Sequence, residues 1–443
     1  MSGRSSVSPD ASFSVAVATS AKPVGRRPVG PGAPPVFVHS SWRTSSTWLW
    51  AKLRQAPTTF AYCEIFHERL ERLTVDELRK SDFSKWNSNH PESAPYFLEF
   101  AQLIERDGAM RGFDRSMAFE RFIPEDGLAG SLSGPERAYV EGLIEHAYSR
   151  RKIPVLTDTR TLGRFAALAD AFPGRHVLLT RNAFHQWGSY AEQWAHGNNY
   201  FLDMLCKTVE ASRRDPFVRL LSDWFVDEDR SPNSAATFQL FLLFHLYLYA
   251  HAFDSADLVV DVNAIAAQPE HRAAVEQRLS EWVLSPVDLS DARPAFGLSL
   301  FSVPSSAAFV DVIDQFVKQM IDESTSADAA QFVTRAKDEA LAEWERHEFY
   351  SRTFRAFSLE RLKLAEESFE NRAALFPHSA AAEERPDPTD RSGDESDPKT
   401  AGRAKPKAKS GHPRAATAKR PSRAASKAKA KPAPRRGAPK RER

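Results

Sequence analysis

The sequence predicts an α/β protein built on a doubly wound, mostly parallel β-sheet. Two observations predict this class, and a third predicts an extension to it. Short β-branched runs alternate with helical patterns over the first two-thirds of the folded region. The runs are apolar along their whole length, as in parallel strands covered by helices on both faces. After about residue 300 the pattern becomes helical throughout, which predicts a C-terminal helical extension.

The first predicted unit is a strand, a loop and a helix. PVFVH (35–39) is an apolar run typical of a buried strand, and STWLWAKLRQ (46–55) has a helical pattern. The helix is expected to end before Pro57, because the residue preceding a proline disfavours helical backbone. The nine residues that begin at His39 contain six hydroxyl side chains, Arg43 and no glycine.

The later elements follow the same alternation. The apolar run 238–253 contains Gln239, His245 and His251 and is shorter than the stretch of about 18 residues that spans a bilayer, so it predicts a buried helix. The region after it is predicted to return to the sheet and end in an amphipathic helix. The further predicted strands are 153–158, 175–180 and 256–262, and the further predicted helices are 161–172, 186–195 and 269–283.

The composition predicts four regions. Residues 1–34 are rich in Ser, Pro, Gly and Ala and are predicted to be a disordered N-terminal segment. Residues 35–300 form the α/β domain and 301–376 the helical extension. Residues 377–443 are predicted to be a disordered tail, acidic first and then strongly basic.

The charge is distributed unevenly. The net charge is +2, but residues 401–443 hold 16 of the 60 Lys and Arg residues and one acid, Glu442, which leaves −13 for the rest. Such a tail predicts contact with nucleic acid or another polyanion through residues 399–443. The alternative is a solvated tail that keeps the protein in solution.

Several classes are excluded or disfavoured. Cys63 and Cys206 provide no disulfide framework and no zinc-site spacing, so a reducing cytoplasm is the default location. The N-terminus lacks the apolar core of a signal peptide, and no membrane span is predicted. The absence of a G-x-x-x-x-G-K-[ST] motif argues against ordinary ATP or GTP enzymes, including nucleotide kinases.

The loop after the first strand is a candidate anion site. Free backbone N–H groups and a partial positive charge gather at a helix N-terminus. Ser45, Ser46 and Thr47 stand at the first helical turn, and Arg43 adds a permanent charge with a planar fork. The alternative is that one hydroxyl caps the helix and the others are solvated.

The motif RTSSTWL resembles the sulfonate-donor loop of sulfotransferases. In that family the loop holds the 5′-phosphosulfate of 3′-phosphoadenylyl sulfate. Serine stands where the family has glycine, so a positive φ at this position would be strained. The matching positions are Arg43 on the basic residue, Thr44 on the serine, Ser45 on the glycine, Ser46 and Thr47 on the two threonines, and Trp48 on the aromatic residue.

A second motif agrees with this resemblance. In RHVLLTRNAFHQWGSYAEQW, a strand ends at Arg181 and Ser189 follows eight residues later, the spacing with which sulfotransferases bind the 3′-phosphate. Taken alone, such a pair is typical of surface residues, but arginine at a strand end faces the crevice where α/β proteins bind ligands. Ala183 replaces a proline common in the family. The resemblance to sulfotransferases covers about residues 35–283 of the chain.

The resemblance implies a P-loop-like sulfotransferase fold of a divergent bacterial, carbohydrate- or tyrosylprotein-type branch. It implies transfer of a sulfonyl group from 3′-phosphoadenylyl sulfate to a hydroxyl acceptor, with a carbohydrate as the suggested class and no metal. The alternative is a catalytically inactive protein with the same fold, tethered to nucleic acid or another polyanion by its basic tail.

A general base is expected after the first helix. Several sulfotransferases place a catalytic glutamate there, beyond a proline, so the resemblance makes Glu64 the first candidate and Arg43 the group that stabilises the leaving phosphate. His67 is the second candidate, because its ordinary pKa is closest to neutrality. If the segment is helical, Glu64 and His67 share one face. If it is a strand, they point to opposite faces.

Other residues are weaker candidates. Arg160 follows a predicted strand, where many family members place a cation near the sulfonate. Trp187, Trp194 and Tyr200 form an aromatic patch in the sequence that would line an acceptor pocket or pack in the core.

Overall fold

A computed structural model describes residues 33–78, 95–226, 230–293, 307–321 and 325–349. Nearly all of the predicted N-terminal segment and the whole of the predicted tail lie outside these residues. The predicted boundaries near 300 and 376 also lie outside them, so the domain limits stay predictions.

The core of the fold is a sheet of five strands. They are β1 (Val36–His39), β2 (Thr59–Cys63), β3 (Ile153–Asp158), β4 (Arg175–Thr180) and β5 (Leu258–Asp261). All neighbouring pairs are parallel, in the order β2-β3-β1-β4-β5. The predicted fold class is confirmed.

The strand order places β1 in the middle of the sheet. Val36 pairs with Val155 of β3 on one side and with Arg175 of β4 on the other. The chain leaves β1 towards β2 at one edge and leaves β4 towards β5 at the opposite edge. Because these two connections diverge, a crevice opens beyond the carboxyl ends of β1 and β4, which is where ligands bind in such sheets.

Twelve helices are described around the sheet, together with single 3-10 turns at Glu68–Glu71, Leu98–Phe100, Arg115–Met117 and Leu162–Arg164. The helices are α1 (Ser46–Gln55), α2 (Val75–Leu78), α3 (Gly134–Ser149), α4 (Phe165–Ala171), α5 (Ala183–Ala195), α6 (Tyr200–Ala211), α7 (Pro216–Phe225), α8 (Ala235–Phe253), α9 (Val262–Ala267), α10 (Pro269–Val283), α11 (Ala307–Met320) and α12 (327–349).

The sheet has apolar side chains on both faces, as the continuous apolar strands predict. Val36 and Val38 of β1 pack with residues of α1 and α10 on one face. Phe37 points to the opposite face and packs with residues of α3. Further along that face, Leu178 of β4 joins a cluster with residues of α5 to α8, α11 and α12. Successive strand residues point to opposite faces, so each strand serves both layers.

Helix α8 is the buried helix predicted from its apolar run. It is long and apolar enough to cross a membrane by length and composition, but 83% of the relevant window is buried inside the fold. Its residues from Thr237 to Ala250 are all buried. Burial on every side explains why this helix is apolar all round.

Candidate active site

The predicted site residues lie along the carboxyl edge of the sheet. Glu64 follows β2 directly, Arg160 lies two residues beyond β3, and Arg181 follows β4 directly. The hydroxyl-rich loop fills the space between β1 and α1. Four neighbouring strands therefore deliver these groups to one side of the molecule.

The loop after β1 follows a left-handed path at two positions. Arg43 has φ +66° and Ser45 has φ +65°. The Thr44 hydroxyl donates to the Ser41 carbonyl oxygen at 2.7 Å, and Gln186 on α5 donates through Nε2 to the Trp42 carbonyl oxygen at 2.6 Å. Ser45 thus adopts the backbone that glycine favours, and hydrogen bonds within the loop and from α5 hold the loop in that shape.

Replacing Ser45 with glycine is expected to raise the free energy of unfolding by about 0.5–1 kcal/mol, because relief of left-handed strain exceeds the entropy that glycine adds to the unfolded chain. Ser46, one residue on, lies in the first turn of α1. The matched change Ser46→Gly should lower the free energy of unfolding by a similar amount. Urea denaturation measures both, and a destabilised Ser45→Gly variant would contradict the prediction.

The N-terminus of α1 opens onto the same loop. Ser45 is the N-cap residue but makes no side-chain capping hydrogen bond, and no acidic residue lies in the first turn. Ser46 is buried, and the Thr47 hydroxyl hydrogen-bonds with Tyr96. The first-turn amides therefore receive no acceptor from the capping side chain, and their partial positive charge favours an anion.

Arg43 meets the second predicted motif across the crevice. Its Nε donates to the Ser189 hydroxyl oxygen at 2.7 Å, although 146 residues separate the two. Arg181 donates through Nη1 to the Arg43 carbonyl oxygen at 2.8 Å. The Arg43 guanidinium also lies over the Phe201 ring, 5.1 Å from its centroid. The fold brings both predicted phosphate-binding segments into direct contact.

The two arginines form a positively charged, partly buried pair. Burial lowers the pKa of Arg43. Burial and then the charge of Arg43 lower the pKa of Arg181 to about 10. Glu192 on α5 acts in the opposite direction on both groups. Arg181 Nε is buried and has no hydrogen-bond partner among the described residues. A bound anion would satisfy this donor and offset the repulsion.

Glu64 stands at the neighbouring end of the crevice in strained backbone. Its φ is +56°, which makes it one of three left-handed non-glycine residues at this edge. Its Oε2 accepts hydrogen bonds from the Thr159 hydroxyl and from Arg160 Nη1, both at 2.7 Å. Burial, followed by the nearby Asp158, raises the pKa of Glu64 to about 7 despite Arg160. Such a carboxyl group suits a general base at neutral pH.

Arg160 links this carboxylate to a second one. The side chain is 1% exposed and donates through Nη2 to Glu68 Oε2 at 2.7 Å and to the Tyr200 hydroxyl oxygen at 2.9 Å. The Tyr200 hydroxyl in turn donates to Glu68 Oε1 at 2.9 Å. Burial raises the pKa of Glu68, but Arg160, His67 and the hydrogen bond from Tyr200 together more than offset it, and the pKa falls to about 2. We call Glu64, Arg160, Glu68 and Tyr200 the base cluster.

Asp158 fixes the backbone beneath the base cluster. Its Oδ2 accepts from the Phe66 backbone N–H at 2.6 Å, and its Oδ1 accepts from the Arg160 backbone N–H. Its own carbonyl oxygen accepts from the Ser40 backbone N–H at 3.1 Å. One buried residue at the end of β3 therefore ties together the chain as it leaves β1, β2 and β3.

His67 occupies a different position from either expected arrangement. Strand β2 ends at Cys63, Glu64 turns left-handed, and His67 caps the following 3-10 turn, so the segment is neither a continuous helix nor a continuous strand at this point. The His67 Nδ1 accepts from the Arg69 backbone N–H at 3.2 Å. Burial and then Arg160 lower its pKa to about 3. His67 is thus a much weaker base than Glu64.

The predicted aromatic patch divides between core and site. Trp187 is fully buried in the core, and Trp194 packs against the same cluster. Tyr200 instead belongs to the base cluster, and its neighbour Phe201 lies under Arg43. Trp48 donates through Nε1 to Asp291 Oδ1 at 3.2 Å on the outer side of α1. The first turn of α6 therefore contacts both Arg43 and the base cluster.

Asp158, Glu68 and Phe201 are site neighbours to which the sequence assigned no role, and Tyr200 was predicted only as a member of the aromatic patch. Asp158 is the last residue of a predicted strand, so the sequence already indicated that it lies at the carboxyl edge of the sheet. Glu68 was visible beside Glu64, but its partner Arg160 lies 92 residues away. In the residues that the structure describes, no group of three His, Cys, Asp or Glu side chains could hold a metal ion.

No family model and no curated protein sequence matches this chain. Among solved structures, the chain is similar to the sulfotransferase domain from the Synechococcus PCC 7002 olefin synthase. The identity is 13% and the TM-score 0.24, and the alignment covers 70% of this chain and 98% of that chain. The likeness is distant.

Proposed function

We propose that this protein is a sulfotransferase that moves a sulfonyl group from 3′-phosphoadenylyl sulfate to a hydroxyl acceptor. One observation carries the proposal. The loop after β1 and the turn after β4 meet through the Arg43–Ser189 and Arg181–Arg43 hydrogen bonds. Two cations and a helix N-terminus then face one crevice, which suits a ligand that carries phosphate at two ends.

The donor would be held at both ends. Arg43 and the first-turn amides of α1 would bind the 5′-phosphosulfate, with the hydroxyls of Thr44 to Thr47 shaping the loop. Arg181 and Ser189 would bind the 3′-phosphate. The buried, unpartnered Nε of Arg181 is the feature that fits this group best, because a phosphate oxygen would satisfy it.

The chemistry requires a base and charge stabilisation. A bond forms between the acceptor oxygen and sulfur, and the bond between sulfur and the bridging phosphate oxygen breaks, which releases 3′,5′-adenosine bisphosphate. Glu64 would take the acceptor proton, since its pKa of about 7 lets it be ionised and still basic near neutrality. Arg43 and the α1 amides would stabilise the charge that develops on the leaving phosphate.

The acceptor class rests on the sequence alone. Trp187 is enclosed in the core and is closed to a sugar ring, which leaves Tyr200 as the member of the aromatic patch at the base cluster. A carbohydrate acceptor stays a prediction. The alternative, an inactive protein tethered by its basic tail, depends on residues 399–443, which lie outside the described part of the chain.

Calorimetry with 3′,5′-adenosine bisphosphate tests the donor site. The full-length protein is expected to bind it at submillimolar concentration. Arg181→Ala should weaken binding about 10- to 100-fold, because a charged hydrogen bond to phosphate is lost. Arg219→Ala, on the exposed surface of α7, is the matched control and should bind as wild type does. Absent binding, or equal binding by the Arg181 variant, would rule out the proposed site.

A further inference from the structure

A histidine lies on the same face of α5 as Ser189. His185 precedes Ser189 by four residues, so the two side chains are one helical turn apart. His185 and Ser189 are both partly exposed, whereas Phe184, Gln186 and Trp187 are buried. Burial lowers the pKa of His185, and the charge of Arg181 lowers it further, so the imidazole lies within electrostatic reach of the guanidinium. His185 therefore faces the predicted phosphate site.

Hydrogen bonds fix the tautomer of this histidine. Asn263, at the start of α9, accepts from the Asn182 backbone N–H through Oδ1 at 2.9 Å. That bond orients the amide, so its Nδ2 is the atom that lies 2.8 Å from His185 Nδ1. Because Nδ2 can only donate, Nδ1 must accept and carries no proton. The proton of neutral His185 is therefore on Nε2, and a hydrogen-bond donor points away from Asn263.

The Nε2–H group faces a carboxylate from α12. Glu343 Oε2 lies 3.5 Å from His185 Nε2, at the outer limit of a hydrogen bond. Glu343 also accepts from Arg346 Nη1 at 2.6 Å, so its charge has a closer partner. The two side chains are 17% and 24% exposed, which leaves room for a ligand to approach. His185 Nε2–H is therefore weakly satisfied and available to a better acceptor.

Helix α12 is fixed at this position by apolar contacts. Trp344 is 3% exposed and packs on Phe184, next to His185, and on Phe238 of α8. The neighbouring residue Glu343 is thereby held beside the first turn of α5. The C-terminal helix contributes a charged side chain to the rim of the same crevice.

We propose that His185 is a third ligand of the donor 3′-phosphate, beside Arg181 and Ser189, and that Glu343 competes with the phosphate for its Nε2–H group. This inference rests on the proposed function. A phosphate oxygen would be a closer and more highly charged acceptor than the carboxylate at 3.5 Å. Glu343 then lowers donor affinity, both as a competing acceptor and by repulsion, while Arg346 limits that repulsion.

Ligands with and without the 3′-phosphate separate this role from a structural one. We expect His185→Phe to weaken binding of 3′,5′-adenosine bisphosphate about 10-fold and to leave 5′-AMP binding unchanged. Glu343→Gln should tighten bisphosphate binding about 2- to 5-fold, also without an effect on 5′-AMP. Glu345→Gln, an exposed change on the same helix, is the matched control and should alter neither. Calorimetric competition on the full-length chain measures all of these.

The outcomes are distinguishable. Equal weakening of both ligands by His185→Phe would show that the ring supports the fold and would overturn the inference. Weaker bisphosphate binding by Glu343→Gln would show that Glu343 supports the site. It would overturn the proposal that Glu343 competes with the phosphate for His185. If the wild-type protein binds both ligands equally or neither, the proposed function fails, and this inference fails with it.

Discussion

Replacing Glu64 with glutamine is expected to reduce sulfonyl transfer about 10²- to 10⁴-fold and to leave donor binding nearly unchanged. Glutamine keeps the size of the side chain and can still accept the hydrogen bonds from Thr159 and Arg160. Glutamine cannot, however, take up the proton that the acceptor hydroxyl loses. The rate is followed as release of 3′,5′-adenosine bisphosphate, with water in the acceptor position until a hydroxyl substrate is found. A variant that keeps the wild-type rate would place the base elsewhere.

The same residue predicts a pH dependence. Because Glu64 must be ionised to act as a base and its pKa is raised to about 7, the wild-type rate should rise with pH through about 7 and level off above it. Burial and Asp158 raise this pKa most and Glu68 raises it further, so Glu68→Gln is expected to move the midpoint to lower pH. Glu64→Gln should abolish the rise. A midpoint unchanged by Glu68→Gln would contradict this assignment.

Replacing Arg43 with alanine is the second change with a large expected effect. Transfer should fall about 10²- to 10³-fold, because the proposed role of the guanidinium is to stabilise the charge that develops on the leaving group. Arg43→Lys keeps the charge but loses the planar fork that reaches Ser189, so it should recover part of the rate.

Initial rates at varied donor concentration separate the two roles of Arg43. A lower kcat shows that Arg43 acts on the transition state, whereas a higher KM with an unchanged kcat would show that it only binds the donor. Arg219→Ala serves as the control for the loss of a positive charge at the surface. An unchanged kcat in Arg43→Ala would contradict the prediction.

Much of the sheet and its flanking helices was predictable from the sequence. The bounds of α1, β3, β4 and α10 match the predicted ranges, since each is a continuous periodic pattern between turn residues or prolines. The predicted helix 186–195 begins three residues early, because Asn182 caps it through bonds to two backbone N–H groups. The predicted helix 161–172 is a 3-10 turn followed by the shorter α4.

Strand β2 was not predicted, and the placement of the base depended on it. TFAYC contains the strand-favouring residues Thr59, Phe60 and Tyr62, but it is only five residues long and pairs with β3 alone, at the sheet edge. Glu64, directly after the strand, has left-handed backbone, which interrupts the alternation of side chains along β2. Local periodicity cannot predict such an interruption, so both arrangements expected for Glu64 and His67 were wrong.

The proposed phosphate-binding residues were identified through a family resemblance, whereas their contacts with other residues required the fold. Arg43, Arg181 and Ser189 matched motifs whose spacing is visible in the sequence. The contacts of Arg160 with Glu68 and Tyr200 join positions far apart in the chain, and nothing local marks them as neighbours. The helical pattern of the C-terminal region was also visible, but its contact with His185 was not.

The central position of β1 has a consequence for the order in which this protein folds. Loop residue Arg43 is made early in synthesis, but its partner Ser189 follows 146 residues later, and β1 is flanked by β3 and β4, which are also late. Contacts of such long range form slowly, because the intervening chain must be ordered first. We therefore expect the crevice to assemble late. A nucleotide that bridges it would stabilise the completed sheet, since the two halves of the site meet only when β1 and β4 are paired.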